Sequence, residues 1–351
     1  MFAFNHLTRK KIMKQKIALI GFGTVAQGLC EILINKKNEL AKKYNYRYEI
    51  VAVSDLRFGS VYNPDGLNLK RLLKEVKEKG KFIKDRVDWS AIETIEKSNS
   101  DVVCELAYTN LKDGQPAIKH CETAFKNKKH VVTSNKGPAA LAYRRLKRLA
   151  DKNGVKFMIE GTVLSGTPVL NLAEGPLAGN KIISAKGILN GTTNYILTKM
   201  EEGMSYEDAL KEAQKLGYAE ADPTNDVKGY DARAKITILA NVLMNVNLNM
   251  AEVKCKGITK ITLKEIAEAK KKNARWKLIG SVENKNGKIK AYVKPELIPL
   301  DHPLAGVMGS TNALTFTTDL LGDVTIVGKG AGKIETGFSI LTDLLALNNS
   351  E

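Results

Sequence analysis

Two lysines and a run of carboxylates carry the chemistry that this sequence can do. Residues 217–237 read G-Y-A-E-A-D-P-T-N-D-V-K-G-Y-D-A-R-A-K-I-T and hold Glu220, Asp222, Asp226 and Asp231. Pro223 and Gly229 break any continuous helix through them, so a helix is expected from near Asp231 through ARAKITILANVLM. On that helix Asp231 and Lys235 stand four apart on one face, and Ile238, Leu239 and Val242 continue the same face. An ammonium on an apolar face must be paired or working, because burying it alone is costly. The competing reading is an ordinary surface ion pair. A partly buried lysine suits proton donation to the alkoxide that forms when hydride reduces an aldehyde, and the nearby carboxylates suit a substrate ammonium. A second lysine, Lys136, lies in V-V-T-S-N-K-G-P-A-A directly after a predicted parallel strand. Ligands of open α/β sheets bind at such strand ends; the alternative is an exposed loop lysine.

Near the start of the chain, Gly21, Gly23 and Ala26 form G-F-G-T-V-A between a predicted strand and a predicted helix. The first glycine permits a tight turn, the second a close approach to a pyrophosphate, and the small third residue close helix–strand packing. The helix N-terminus then favours the anion. The spacing is weak evidence by itself, and a plain strand-to-helix turn is the other reading; the context favours a dinucleotide site. Asp55 closes the second strand, where a carboxylate would bind the ribose hydroxyls and favour NAD. Arg57 would instead meet a 2′-phosphate and favour NADP. The two argue opposite ways, and either is also readable as a plain turn residue.

These groups need elements to hold them. KIALI (16–20), EIVAVSD ending at Asp55, DVVCELA (101–107), Lys129 to Thr133 and VKFMIE (155–160) read as strands. Helical stretches fall between them, at Val25 to Leu33, within the lysine-rich 56–100, at 114–128 and near 138–152. This alternation predicts an α/β protein with a Rossmann-type doubly wound parallel sheet. Residues 166–250 are then read as mainly helical, and KLIGSV, KIKAYV, ALTFTT and DVTIVG as short strands of a second, α+β domain whose sheet also suits a dimer interface. The expected division is a flexible extension over 1–14, a dinucleotide-binding domain over 15–154 and a catalytic and dimerisation domain over 155–335. The tail TGFSILTDLLAL, within 336–351, is expected to form a helix packing back on the first domain.

Composition narrows the field. At 351 residues, with 43% hydrophobic and 26% charged residues, the chain suits two soluble cores. No apolar run approaches the ~20 residues of a membrane helix, and the basic start lacks the features of a secretory signal. Cys30, Cys104, Cys121 and Cys255 form no CxxC pair, which argues against zinc or a disulfide framework and for a reducing cytoplasm. Cys104 falls in a predicted buried strand and reads as a core residue. The net charge of +17 could attract nucleic acid, but the lysines are spread over helix faces without interleaved aromatics, so a solvated surface is expected instead.

Taken together, GFGTVAQGL, VVTSNKGPAA, EGTVLSGTP, NGTTNYILTKM, the segment Gly217 to Lys235 and the late GKGAG resemble the homoserine dehydrogenase family, in order along nearly the whole chain after residue 14. The resemblance implies a homodimer that interconverts L-homoserine and L-aspartate 4-semialdehyde with NAD or NADP. It implies Lys235 as proton donor and acceptor, and Lys136 in the active site beside the cofactor. Glu220 and Asp231 would hold substrate, Asp226 would shape that pocket, and Thr192 would touch substrate. Cofactor contacts would come from Gly21, Gly23, Thr24, Val25, Gly330 and the stretch at Ala107. The family often has threonine at Ala107, so contact there is expected from backbone alone or from Thr109. The EGTVLSGTP loop resembles a sodium site, through the Glu160 side chain or carbonyl and carbonyls near Val163, Ser165 and Thr167; such oxygen donors suit a hard cation. Ala26 departs from the common third glycine. No regulatory domain of the amino-acid-binding type follows Leu347 and no kinase domain precedes, so a monofunctional form without that feedback control is expected. A dehydrogenase for another amino or hydroxy acid, and a non-catalytic nicotinamide-binding redox sensor, remain the alternatives.

Overall fold

The structure is a computed structural model that describes residues 14–350. Apart from Lys14, the extension expected over 1–14 lies outside the described residues. Among them, seven strands form a first sheet: β1 (Gln15–Ile20), β2 (Tyr48–Asp55), β3 (Gly59–Tyr62), β4 (Arg86–Val87), β5 (Val102–Glu105), β6 (His130–Thr133) and β7 (Phe157–Met158). Their order is β4-β3-β2-β1-β5-β6-β7. The pairs from β2 through β7 are parallel. β3 and β4 add an antiparallel edge. The chain leaves β1 first toward β2 and later returns on its other side with β5. The strand order therefore reverses beside β1, which opens a crevice at the carboxyl ends of β1 and β5.

The buried apolar residues of β1, Ile17 to Ile20, explain its central place. The following helix, Thr24–Lys43, buries Ala26, Leu29, Cys30, Ile32 and Leu33 against the sheet and carries Lys42 and Lys43 in its last turn, where cations favour the helix dipole. The tail forms the helix Lys333–Ser350, starting slightly before the expected 336. It crosses Thr24–Lys43 where Gly28 meets the backbone of Lys333, and where a Cβ on Gly337 would lie 2.6 Å from Leu29 N. Two glycines thus let the helices touch backbone to backbone. Ile340, Leu341, Leu344 and Leu347 are buried there, each contributing about 1.5–3 kcal/mol of apolar burial.

The first sheet continues past residue 154. Phe157 pairs with Val131, and Met158 with Val132, so β7 is the last strand of the first sheet. The single helix expected near 138–152 is two, Lys136–Leu141 and Tyr143–Lys152, broken at Ala142.

The second sheet holds β8 (Ile182–Ile188), β9 (Lys254–Cys255), β10 (Ala274–Lys285), β11 (Lys288–Pro299), β12 (Thr311–Thr318) and β13 (Gly322–Lys329), in the order β13-β12-β8-β10-β11-β9. Its pairs are antiparallel except β9 with β11. β8 lies within the region read as helical. One face packs on the helices Gly191–Glu201 and Tyr230–Leu243. The latter buries Ala232, Ala234, Ile236, Ile238, Leu239 and Ala240, a nearly all-round apolar pattern that marks an internal helix. A Cβ on Gly280 of β10 would stand 2.8 Å from Ile236 Cγ1, which shows how closely helix and sheet approach. No helix among the described residues is long and apolar enough to cross a membrane.

Candidate active site

The helix Tyr230–Leu243 begins after Gly229, held at φ 83°. That start puts Asp231 in the first turn and Lys235 one turn on, facing the helix Lys136–Leu141 of the first domain. Lys235 is only 6% exposed. Its ammonium lies 2.8 Å from Asp231 Oδ2 and donates to the Leu189 carbonyl at 2.6 Å. Lys136 reaches the other carboxylate oxygen, Asp231 Oδ1, at 3.4 Å. The alternative of a surface ion pair therefore fails: one carboxylate at the domain boundary gathers both lysines. Burial alone would raise the Asp231 carboxyl, yet the two ammoniums and Asn190 outweigh it and hold it well below the usual carboxylate range.

Asn190, not singled out in the sequence, completes this cluster. Its Nδ2 donates to Asp226 Oδ1 at 2.7 Å and to Asp231 Oδ2 at 3.1 Å, while its Oδ1 caps the helix Gly191–Glu201 by accepting from Thr193 N at 2.9 Å. The signal was present as an N-cap asparagine before a helical run. Burial and the nearby Asp231 charge push the Asp226 carboxyl up. The lysine ammonium has three donors; two of those on Lys235 are used, and the third is free for a substrate oxygen.

The other substrate candidates lie around this cluster. Thr192 is buried and donates its hydroxyl to the Tyr218 carbonyl at 2.5 Å, which ties the 217–222 segment to the head of the Gly191–Glu201 helix. Glu220 in that segment is exposed, and its carboxylate makes no hydrogen bond or ion pair among the described residues. It stands outside the hydrogen-bonded cluster.

The glycine loop fits a dinucleotide. Gly21 has φ 94°, and a Cβ there would lie 2.5 Å from Leu106 O. Gly23 has open space where a side chain would project. The amides of Gly23, Thr24 and Val25, at the helix start, donate to no described residue. Donors grouped at a helix N-terminus suit a pyrophosphate. Ala107 is partly buried and Thr109 exposed, both in the turn after β5.

Asp55 is engaged by backbone amides. Its Oδ2 accepts from Phe22 N at 2.7 Å and its Oδ1 from Arg57 N and Phe58 N at 2.8 and 3.1 Å. The carboxylate braces the glycine loop, with little acceptor capacity left for a ribose. Arg57 is exposed at the rim, its guanidinium 5.3 Å from the Phe58 ring centre. Gly330 leaves room for Asn312, whose carboxamide fills the place a Cβ would take. Asn312 is 1% exposed and keeps both polar side-chain atoms unpaired.

In the expected sodium loop, the Glu160 carboxylate is taken. It accepts from Val169 N at 2.7 Å, Leu170 N at 3.1 Å and Asn171 N at 2.5 Å, so it caps the helix Leu170–Glu174. Burial raises its carboxyl and these amides counter the rise. The Ser165 hydroxyl pairs with Thr336 Oγ1 at 2.7 Å, and Thr167 Oγ1 donates to Lys329 O at 3.0 Å. The buried carbonyls of Val163, Ser165 and Thr167 accept from no described residue. No cluster of three or more His, Cys, Asp or Glu able to hold a metal occurs among the described residues.

Comparison with known proteins gives one answer. The homoserine dehydrogenase family model matches residues 168–345, and the homoserine dehydrogenase NAD-binding domain model matches residues 21–160. The chain is 44% identical over 339 residues to the NAD(+)-dependent homoserine dehydrogenase of Pseudomonas canavaninivorans, across 95% of this chain and 96% of that protein. It is 47% identical over 339 residues to a homoserine dehydrogenase of Methanocaldococcus jannaschii, across 95% and 98%. A solved hyperthermophilic archaeal homoserine dehydrogenase in complex with NADPH superposes with a TM-score of 0.82 at 30% identity, across 97% of this chain and 99% of that one. Two family models that together cover most of both sheets, and relatives alike along almost their full length, place this chain in the homoserine dehydrogenase family.

Proposed function

We propose that this protein interconverts L-homoserine and L-aspartate 4-semialdehyde, with Lys235 moving the proton. The observation that carries the reading is the Lys235–Asp231–Lys136 cluster, with Lys235 buried and Lys136 just past the carboxyl end of β6, beside the dinucleotide crevice. When bound, the nicotinamide accepts or supplies the hydride at C4. In the reducing direction the third N–H of Lys235 donates to the oxygen that becomes the alcohol; in the oxidising direction the amine takes that proton back. Asp231, ionised by its two lysines, fixes the amine and balances the charge. Asp226, held by Asn190 beside Asp231, supplies carboxylate oxygen for the substrate ammonium, and Glu220, exposed in the 217–222 segment, is the second carboxylate assigned to it.

Both cofactors fit this reading. Asp55 is spent on backbone amides, which weakens its discrimination against a 2′-phosphate, and Arg57 stands exposed beside it. The Val163, Ser165 and Thr167 carbonyls are the donors for a sodium ion. A homodimer would form at the β13 edge of the second sheet, where Leu320 and Leu321 in the turn of the β12–β13 hairpin and Val327 of β13 are 71%, 60% and 53% exposed.

Initial rates with L-homoserine and each of NAD+ and NADP+, with and without sodium, test the assignment. Oxidation of L-homoserine supports it. Intact cofactor binding without that activity, or faster turnover of another amino or hydroxy acid, refutes it.

A further inference from the structure

The site has a second asparagine whose bonds join two elements that the reaction must keep in register. Asn135 is 2% exposed and sits between β6 and the helix that begins with Lys136. Its Oδ1 accepts from Gly137 N at 3.0 Å, capping that helix. Its Nδ2 donates to the Ala107 carbonyl at 3.2 Å and the Tyr108 carbonyl at 3.1 Å, in the turn after β5. Its backbone N–H donates to Thr133 Oγ1 at 2.9 Å, and that hydroxyl in turn donates to the Glu105 carbonyl at 2.6 Å. Glu105 is fully buried, with His120 Nδ1 3.2 Å from its Oε1. A continuous set of hydrogen bonds therefore links the end of β5 to the end of β6.

We infer that Asn135 is a positioning residue for hydride transfer. Its carboxamide holds the Ala107–Tyr108 turn and the Lys136 helix at one separation. This rests on the reading above, in which the β5 turn borders the nicotinamide and Lys136 borders the substrate through Asp231. The physical argument is one of reach. Lys136 contacts Asp231 at 3.4 Å, a distance that a small drift of its helix would open. Near-attack geometry for a bimolecular step tolerates little displacement. Nothing else in this turn ties it to the Lys136 helix with a side-chain donor: Asn110 Nδ2 bonds only within its own loop, to Asp113 and the Gln115 carbonyl. The pyrophosphate end of the crevice is built mainly by the glycine loop and the helix Thr24–Lys43, and Gly21 meets the turn at the Leu106 carbonyl and Ala107 N, just before the two carbonyls that Asn135 holds, so most of the cofactor affinity should survive loss of the Asn135 link.

The test uses the full chain with Asn135→Asp. Aspartate caps a helix as well as asparagine, so the Gly137 bond is kept. The new carboxylate places an acceptor against two carbonyls, and the link to the turn is lost. Thermal melting, the dissociation constant for NADH or NADPH by fluorescence, and kcat with L-homoserine are measured on the wild-type protein and the variant. The expected result is a cofactor affinity within threefold of wild type and kcat lowered tenfold or more, in a variant that still unfolds cooperatively although the buried carboxylate lowers its melting temperature. Asn135→Ser, a shorter neutral cap without the carboxamide, serves as a second variant and the one that decides should the first not fold; it is expected to melt close to wild type with the same split between cofactor affinity and kcat. A fall in kcat of less than tenfold, or one matched by lost folding or lost cofactor affinity in both variants, overturns the inference. A wild-type protein that binds cofactor but does not oxidise homoserine instead sinks the functional reading, so the two failures are distinguishable.

Discussion

Replacing Lys235 by methionine separates the chemical role of the ammonium from its structural one. The two side chains have similar length, so the apolar packing of the helix Tyr230–Leu243 is largely kept. What disappears is a charge 2.8 Å from Asp231 Oδ2 and a donor 2.6 Å from the Leu189 carbonyl. Breaking a buried ion pair costs about 3–5 kcal/mol when the partner is left uncompensated. Asp231 is not left so, because Lys136 remains at 3.4 Å and Asn190 Nδ2 at 3.1 Å. The structural loss then reduces to one unpaired carbonyl and a weaker pair, about 1–3 kcal/mol, which a domain with stability of about 5–15 kcal/mol survives. A lost general acid–base group removes roughly 10²–10⁴ in rate, equivalent to about 3–5 kcal/mol of barrier. The functional loss should therefore exceed the structural one. Steady-state kcat for L-homoserine oxidation, measured beside thermal melting, reads both: a folded protein with kcat down at least a hundredfold is expected. A kcat within tenfold of wild type would refute the role assigned to Lys235, however stable the variant proved.

Further outcomes follow from other groups. The Asp343 carboxyl is pushed up to about 8 by burial, with the Glu160 charge adding to it; it accepts from Glu160 N at 3.0 Å and Asn171 Nδ2 at 3.2 Å. A raised acid binds its proton more tightly when folded. Its stabilisation is complete below the unfolded value near 4, falls as pH rises through about 8, and is gone above that. The melting difference between Asp343→Asn and wild type should thus grow in the variant's favour from pH 5 to 8 in calorimetry, and a flat difference would contradict it. Gly21→Ala forces a Cβ onto the Leu106 carbonyl at φ 94°, so titration calorimetry should show NAD(P)H affinity lowered tenfold or more. Asn190→Ala removes a helix cap worth about 1 kcal/mol and the shared donor of Asp226 and Asp231; a drop of about 2–4 °C in melting temperature with a raised KM for homoserine is expected, and an unchanged KM would show that the donor does not shape the pocket.

Much of this site was legible because its residues sit on strongly patterned elements. Asp231 and Lys235 stood out as a charged i,i+4 pair on an apolar helix face, and the structure buries Lys235 and partly covers Asp231, as that face required. The parallel strands β1, β2, β5 and β6 were readable as apolar runs. β3 and β4 were not, because they are short edge strands inside a lysine-rich stretch. β8 was missed because IISAKGI carries glycine and lysine and follows a helical region. Asp55 shows a different limit: an acid at the end of β2 looks the same whether it faces a ribose or turns back onto Phe22 N. Asn190 and Asn135 are invisible for a related reason. A cap asparagine is common, and only the fold reveals which neighbouring carboxylate or carbonyl its second polar atom reaches.

The account stands or falls on where the amine of Lys235 points once the crevice is filled. A crystal structure with the reduced cofactor and L-homoserine, a pair that cannot react together, measures this directly. The account requires Lys235 Nζ within about 3.2 Å of the homoserine hydroxyl oxygen, with C4 against the nicotinamide and Asp231 still on the amine. A hydroxyl held by other groups, with Lys235 turned away from it, would contradict the account.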